Sequence, residues 1–137
     1  MVVVKCQKCE AANRVPVVAP GKPRCAKCRS DLAWLVNASD ADFDDVVDTG
    51  LLTLVDLWAP WCNPCRMVGP ILESLAGEFR GRLKVVKVNV DENRNVSVRF
   101  NAQSIPMLLF MRGGVLVDSV VGAHPEPVLR AKIIELL

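Results

Sequence analysis

Residues 51–70, LLTLVDLWAPWCNPCRMVGP, decide how this chain folds. Leu51 to Ala59 is an apolar run of strand length, broken only by Thr53 and Asp56. An amphipathic segment begins near Cys62 and reads as a helix. The join carries Cys62 and Cys65, two residues apart, with Pro64 between them and Trp61 just before. A C-x-x-C pair where a buried strand turns into a helix is a redox signature. The first thiol then sits where unpaired backbone N–H groups and the positive end of the helix dipole converge. That placement favours the thiolate, which is the nucleophile. The second thiol lies one turn along the same helix, close enough to close a disulfide with the first.

The bulk numbers bound the rest. A chain of 137 residues suits one ordinary domain, or one of about 100 residues plus a small module. Hydrophobic residues make up 51%, enough for a proper core and too many for disorder. The formal net charge of +2 hides an asymmetry. Residues 1–37 hold seven Lys/Arg against two acidic residues, and residues 38–137 hold ten against thirteen. Such a split implies two modules and raises nucleic acid as a partner for the first. No run approaches the length of a membrane helix. MVVV runs straight into Lys5 and Cys6, leaving no signal-peptide core, so a cytoplasmic location is expected. Stable disulfides are rare there, and six cysteines call for a metal or redox reading.

The N-terminal segment supplies the metal reading. Cys6-Gln-Lys-Cys9 and Cys25-Ala-Lys-Cys28 are separated by fifteen residues. That spacing fits four thiolates, Cys6, Cys9, Cys25 and Cys28, around one tetrahedral Zn²⁺. The segment between them, EAANRVPVVAPGKPR, has three prolines and can form a short ribbon but no core. A module this small needs a staple, and a metal supplies one. Zinc with four thiolates carries a net charge of −2, which Lys5, Lys8, Arg24, Lys27 and Arg29 can offset. The basic excess is thereby explained without a nucleic-acid partner. The alternative is four reduced, unliganded thiols.

The remainder reads in order. Residues 34–38 are a linker or a first short strand, and Ser39 or Asp40 caps a helix over Asp42 to Asp48. After the central strand, the Cys62 helix runs to about Phe79, with Pro70 inside it as a bend. Lys84 to Val90 alternates as a strand, and Asn93 to Phe100 is a short helix. Met107 to Met111 and Val115 to Val121 form a hairpin on Gly113-Gly114. Pro125 to Leu137 closes the chain as a helix with Val128, Leu129, Ile133, Ile134 and Leu137 on one face. This order predicts an α/β fold, a mixed central sheet with helices on both faces.

Those pieces also carry a family likeness. VDLWAPWCNPCRMVGPIL, KVNVDEN, the SIP of Ser104 to Pro106, the Gly-Gly hairpin and the VGA of Val121 to Ala123 together resemble thioredoxin. The likeness spans residues 38–137, and residues 1–33 resemble the zinc ribbon preceding one cytosolic class of bacterial thioredoxins. The resemblance implies a thioredoxin domain over 34–137 behind a ribbon over 1–33. It implies a monomeric protein-disulfide reductase, recharged by a flavin-dependent thioredoxin reductase using NADPH, with disulfide-containing proteins as substrates.

The resemblance also assigns roles. Cys62 is the attacking thiolate and Cys65 the resolving thiol, with Cys62 first forming a mixed disulfide. Asp56, mid-strand in an apolar run, has a raised pKa and exchanges the Cys65 proton. Lys87 matches the family lysine that approaches that aspartate, with an exposed strand lysine as the alternative. Pro106 matches the family's cis-proline, whose loop leaves Ile105 backbone groups to pair with an extended substrate. Trp61, Pro64, Gly122 and Ala123 complete a flat apolar rim. Trp58 is assigned to packing and His124 to the surface. Asn63 stands where the family has Gly, Met107 where it has Thr, and Gly69 where Ala is common. Two other functions compete: the same thiol chemistry run as an oxidase or isomerase, and a zinc-dependent interaction module using the fold for partner recognition.

Overall fold

The computed structural model describes residues 2–137; Met1, the first residue of the expected ribbon, lies outside the described residues. The chain opens with a hairpin of β1 (Val2–Lys5) and β2 (Ala12–Val15), paired antiparallel. Each N-terminal cysteine pair forms the same turn. Cys6 N–H bonds the Ala11 carbonyl at 2.9 Å, and Cys25 N–H bonds the Ser30 carbonyl at 2.8 Å. Each turn closes on a residue in the left-handed region, Glu10 (φ 65°) and Arg29 (φ 68°).

The larger unit follows as β3 (Trp34–Asn37), α1 (Phe43–Val47), β4 (Leu52–Trp58), α2 (Asn63–Glu78), β5 (Leu83–Asn89), α3 (Arg94–Arg99), β6 (Met107–Arg112), β7 (Val115–Val121) and α4 (Glu126–Leu136). Its five strands form one sheet in the order β3-β5-β4-β6-β7. β3, β5 and β4 run parallel, and β6 and β7 add on antiparallel. The mixed sheet read from the sequence is therefore present, and residues 34–37 are its edge strand rather than a linker.

Period-2 alternation divides the sheet between two layers. Leu52, Leu54, Leu83, Val85, Leu108 and Phe110 pack against α2 and α4. Val36, Val55, Leu57, Val86, Val88 and Leu109 pack against Phe43, Val46 and Val47 of α1 and Val96 of α3. The second cluster continues without a gap into Cys6, Val15, Cys25 and Leu32, so the hairpin module shares a core with the sheet.

Two local expectations are corrected. Neither Ser39 nor Asp40 caps α1, whose N-cap is Asp42 with no side-chain bond to the helix. The Asp40 carboxylate instead accepts from the N–H groups of Asn95 (3.1 Å) and Val96 (2.9 Å) at the start of α3. Those orphan donors and the local helix dipole attract the carboxylate. On α4, Leu129 and Ile133 are buried and Leu136 packs beside them, while Val128, Ile134 and Leu137 are exposed. An i, i+4, i+7 stripe is the narrow face that a helix on a sheet can cover, and the neighbours of its members turn outward.

Candidate functional site

Cys62 ends the strand-to-helix join as the N-cap of α2, with extended backbone. Its Sγ accepts from the Cys65 N–H at 3.2 Å. A sulfur takes the place that a Ser or Asp oxygen fills at ordinary helix starts, so the first turn stabilises negative charge on that sulfur. Pro64, in the first turn, gives up an N–H the helix does not need. Cys62 and Cys65 are joined by a disulfide, with Cα atoms 5.3 Å apart. Both are about 4% exposed.

Asp56 lies on β4 on the face that turns toward α2. It is 1% exposed, and neither carboxylate oxygen has a hydrogen-bond partner among the described residues. Burial pushes its pKa from 3.8 up to about 6, against a smaller downward pull from Lys87. Lys87 is the residue opposite Asp56 in the β4–β5 ladder, half-buried rather than exposed. Its Nζ sits over the Trp58 ring, 4.9 Å from the centroid. Trp58 thus holds a cation as well as packing.

The Ile105–Pro106 peptide bond is cis, and Pro106 is buried. Cys62 Sγ lies 3.8 Å from the Ile105 carbonyl oxygen. Gly122 N–H bonds the Pro106 carbonyl at 2.8 Å. Gly122 has φ +95°, a conformation that favours glycine. Ala123 is exposed beside it, and Trp61, next to Cys62 in the chain, is 65% exposed. The structure therefore brings Trp61, Cys62, Ile105, Pro106, Gly122 and Ala123 around one surface. His124 is half-buried, with Nε2 3.0 Å from the Val121 carbonyl, and stands outside that surface chemistry.

The other four cysteines converge elsewhere. All four sulfurs lie within 4.8 Å of one another, and Cys6–Cys28 and Cys9–Cys25 approach to 3.6 and 3.5 Å. A tetrahedral site with metal–sulfur bonds of about 2.3 Å requires sulfurs about 3.8 Å apart. Cys9 N–H approaches Cys6 Sγ at 3.5 Å, and the Asn13 amide donates to Cys25 Sγ at 3.4 Å. The Cys28 backbone N–H, with Asn13, lowers the Cys25 pKa to about 6. The donors to Cys25 favour its thiolate, the form a metal takes, and the four converging sulfurs can together hold one metal ion.

A family model for thioredoxin matches residues 34–135. The chain belongs to the thioredoxin family. It is 48% identical over 96 residues to thioredoxin from a Synechocystis species, covering 69% of this chain and 90% of the relative. It is 48% identical over 92 residues to thioredoxin 1 from a Nostoc species, covering 66% and 86%. It is 41% identical over 99 residues to thioredoxin 2 from Chlorobaculum tepidum, covering 72% and 91%. At these identities the thioredoxin chain is a thiol–disulfide oxidoreductase. Among its described residues, no helix is long and apolar enough to cross a membrane.

Three features of this thioredoxin escaped the sequence reading. Lys84 is 1% exposed, yet its Nζ donates to the carbonyls of Val17 (2.7 Å) and Val46 (2.6 Å). The same Nζ lies 4.0 Å from the Trp34 ring centroid. Burial pulls its pKa down to about 8, while the two carbonyls and the ring favour the charged form. Lys84 so ties the hairpin module to α1. Asn13, buried behind Cys25, also accepts from the Ala26 N–H at 3.0 Å and fixes the second cysteine turn. Asp91 accepts from the Trp61 indole N–H at 3.0 Å and holds the exposed ring beside the disulfide.

Proposed function

We propose that this protein reduces disulfides in other proteins through the Cys62/Cys65 dithiol. What carries the reading is the junction itself: Cys62 caps α2, closes a disulfide with Cys65, and lies against Ile105 of the cis-Pro106 loop. In the reduced protein, the Cys62 thiolate attacks one sulfur of a substrate disulfide. A mixed disulfide forms and the first substrate thiolate leaves, taking up a proton. Cys65 then loses its proton to Asp56, which is ionised above about pH 6. The Cys65 thiolate attacks the Cys62 sulfur, the mixed disulfide breaks, and the second substrate thiolate leaves. The substrate gains two electrons and two protons; the protein keeps the Cys62–Cys65 disulfide.

Lys87 supports Asp56 in this reading, because its charge favours the ionised carboxylate from the neighbouring strand. Trp61, Pro64, Ile105, Pro106, Gly122 and Ala123 form the substrate surface, with Ile105 pairing to an extended segment. The protein acts as a cytoplasmic monomer, returned to the dithiol by an NADPH-dependent thioredoxin reductase. Residues 1–33 are a zinc ribbon holding one Zn²⁺ on Cys6, Cys9, Cys25 and Cys28, and 34–137 are the thioredoxin domain. Four sulfur donors with near-tetrahedral spacing suit zinc. The metal, when bound, fixes the ribbon; no electron passes through it.

Two measurements test the reading. Dithiothreitol-driven insulin reduction should be catalysed, and thioredoxin reductase with NADPH should replace dithiothreitol. The Cys62–Cys65 reduction potential should lie in the range of cytosolic reductants rather than near that of a strong oxidant. No catalysis, or a strongly oxidising potential, would overturn the proposal.

A further inference from the structure

The proposed reaction brings a substrate's cysteine sulfur onto Cys62. An apolar cleft of about 270 Å³ opens close by, between α2 and the turn before α4. Its walls are Met67, Val68 and Ile71 on one side and Ala123, His124 and Pro125 on the other. It holds no carboxylate or ammonium group and has room for a single side chain rather than a small-molecule ligand. Met67 is 69% exposed on its rim. A flexible thioether there can adapt to apolar groups of different shape. Ala123 follows Gly122, whose N–H bonds the Pro106 carbonyl, so the cleft begins where the substrate surface ends.

Its distance from Cys62 matches a fixed step along an extended chain. Met67 and Val68 stand five and six residues into the helix past Cys62. At about 1.5 Å per residue this is roughly 8–9 Å along the axis. In an extended segment, residues two apart point the same way and lie roughly 7 Å from each other. Where an extended segment runs along the start of α2, a substrate cysteine turned toward Cys62 places the side chain two residues away over this cleft. We propose that the cleft is a specificity subsite for an apolar side chain two residues from the substrate cysteine bonded to Cys62. The inference rests on the reductase reading above. It adds Met67 and Ile71 as specificity-determining residues, and it favours an aliphatic over a polar side chain at that substrate position, because the cleft walls are almost wholly apolar.

The test uses short peptides with one central cysteine, each linked to a copy of itself by a disulfide. They carry Leu, Ser or Glu at the second residue before or after the cysteine. Rates are taken with the fully reduced protein. For one of the two placements, the Leu peptide should be reduced about tenfold faster than the Ser or Glu peptide, the gain from burying one aliphatic side chain. Met67→Glu, an exposed change on the cleft rim, should erase that preference, since the cycle of variant and peptide isolates the pairing. Equal rates for all peptides, or a Leu preference that survives Met67→Glu, overturn the subsite while leaving the reductase reading intact. No reduction of any peptide, with no reduction of insulin, overturns both.

Discussion

Asp56→Asn should remove a pH-dependent cost to stability while slowing the protein's reaction. The carboxylate is ionised, buried and without a hydrogen-bond partner. Raising its pKa from 3.8 to about 6 costs the ionised folded state about 3 kcal/mol relative to the unfolded chain. The sign follows from the raised pKa. Above about pH 6 both states are ionised and the folded state bears the whole cost. Between about 6 and 3.8 the folded state takes the proton first and the cost fades. Below that both states are protonated and the cost is gone. Asparagine has no such titration, but it brings its own packing and amide terms. Those terms do not change with pH. The stability of Asp56→Asn minus that of the unchanged protein should therefore be about 3 kcal/mol larger at pH 8 than at pH 3.5. Urea unfolding of the oxidised protein at a series of pH values measures it. A difference that stays flat with pH, or that grows toward acid, would refute the account of a strained buried charge. The companion readout is insulin reduction: the rate near pH 7 should fall, because in the proposed mechanism Asp56 accepts the Cys65 proton.

Other changes probe the remaining groups. Cys62→Ser should abolish reduction, whereas Cys65→Ser should accumulate mixed disulfides with substrates, visible by mass spectrometry; normal turnover by Cys65→Ser would reverse the assigned roles. Metal analysis should give one zinc per chain, kept in Cys62→Ser and lost in Cys6→Ser and Cys25→Ser; two equivalents would sink the division of cysteines. Chelation should release the ribbon and also lower the melting temperature of the rest, because Cys6, Val15 and Cys25 share a cluster with α1 and the sheet. Lys84→Met should destabilise by about 2 kcal/mol or more, since it strips a charged donor from two carbonyls. Hydrogen exchange should then quicken first around Val17, and unaltered exchange there would show that the tie to α1 does not hold the ribbon.

Much of the fold was legible because local rules and global layers agree. LLTLVDLW is apolar on both faces and became the central strand; KVVKVNV alternates and became its neighbour. The limits of that legibility are physical. Lys84 and Lys87 lie three apart, so they face opposite layers. Nothing in the strand pattern says that Lys84 meets carbonyls from residues 17 and 46, far off in sequence. Asp40 looked like a cap for the next helix, yet its partners are the donors of α3, more than fifty residues on. The face of α4 was misjudged because two adjacent apolar pairs, 128/129 and 133/134, leave the stripe ambiguous until a sheet chooses one member of each. The cysteine pairs were more legible than these, since each is one contiguous motif, whereas Lys87, Ile105, Pro106 and Gly122 were picked out only by the family likeness.

The three C-x-x-C pairs pose a sharper question, because identical spacing leads to different chemistry. In the first two pairs each cysteine turn ends at a left-handed residue, and the two turns face each other. The shortest sulfur approaches then run between pairs, Cys6 to Cys28 and Cys9 to Cys25. That crossed arrangement surrounds a point, which is what a tetrahedral ion needs. In the third pair the helix continues past both residues. Cys62 and Cys65 face each other along one turn, bonded within the pair, with the N-terminal donors of α2 beneath one of them. Two sulfurs on one helix cannot surround an ion, but they can pass a bond back and forth. The sites also lie apart. The four-cysteine module meets the sheet at Trp34 and Lys84, where β3 and β5 begin, while Cys62 follows the far end of β4, about 20 Å along the strands. In the proposed mechanism, that separation keeps the four cysteines away from the disulfides that Cys62 attacks. Moving the ribbon's turns onto a continuous helix would therefore be expected to cost metal binding before it cost the fold of the sheet.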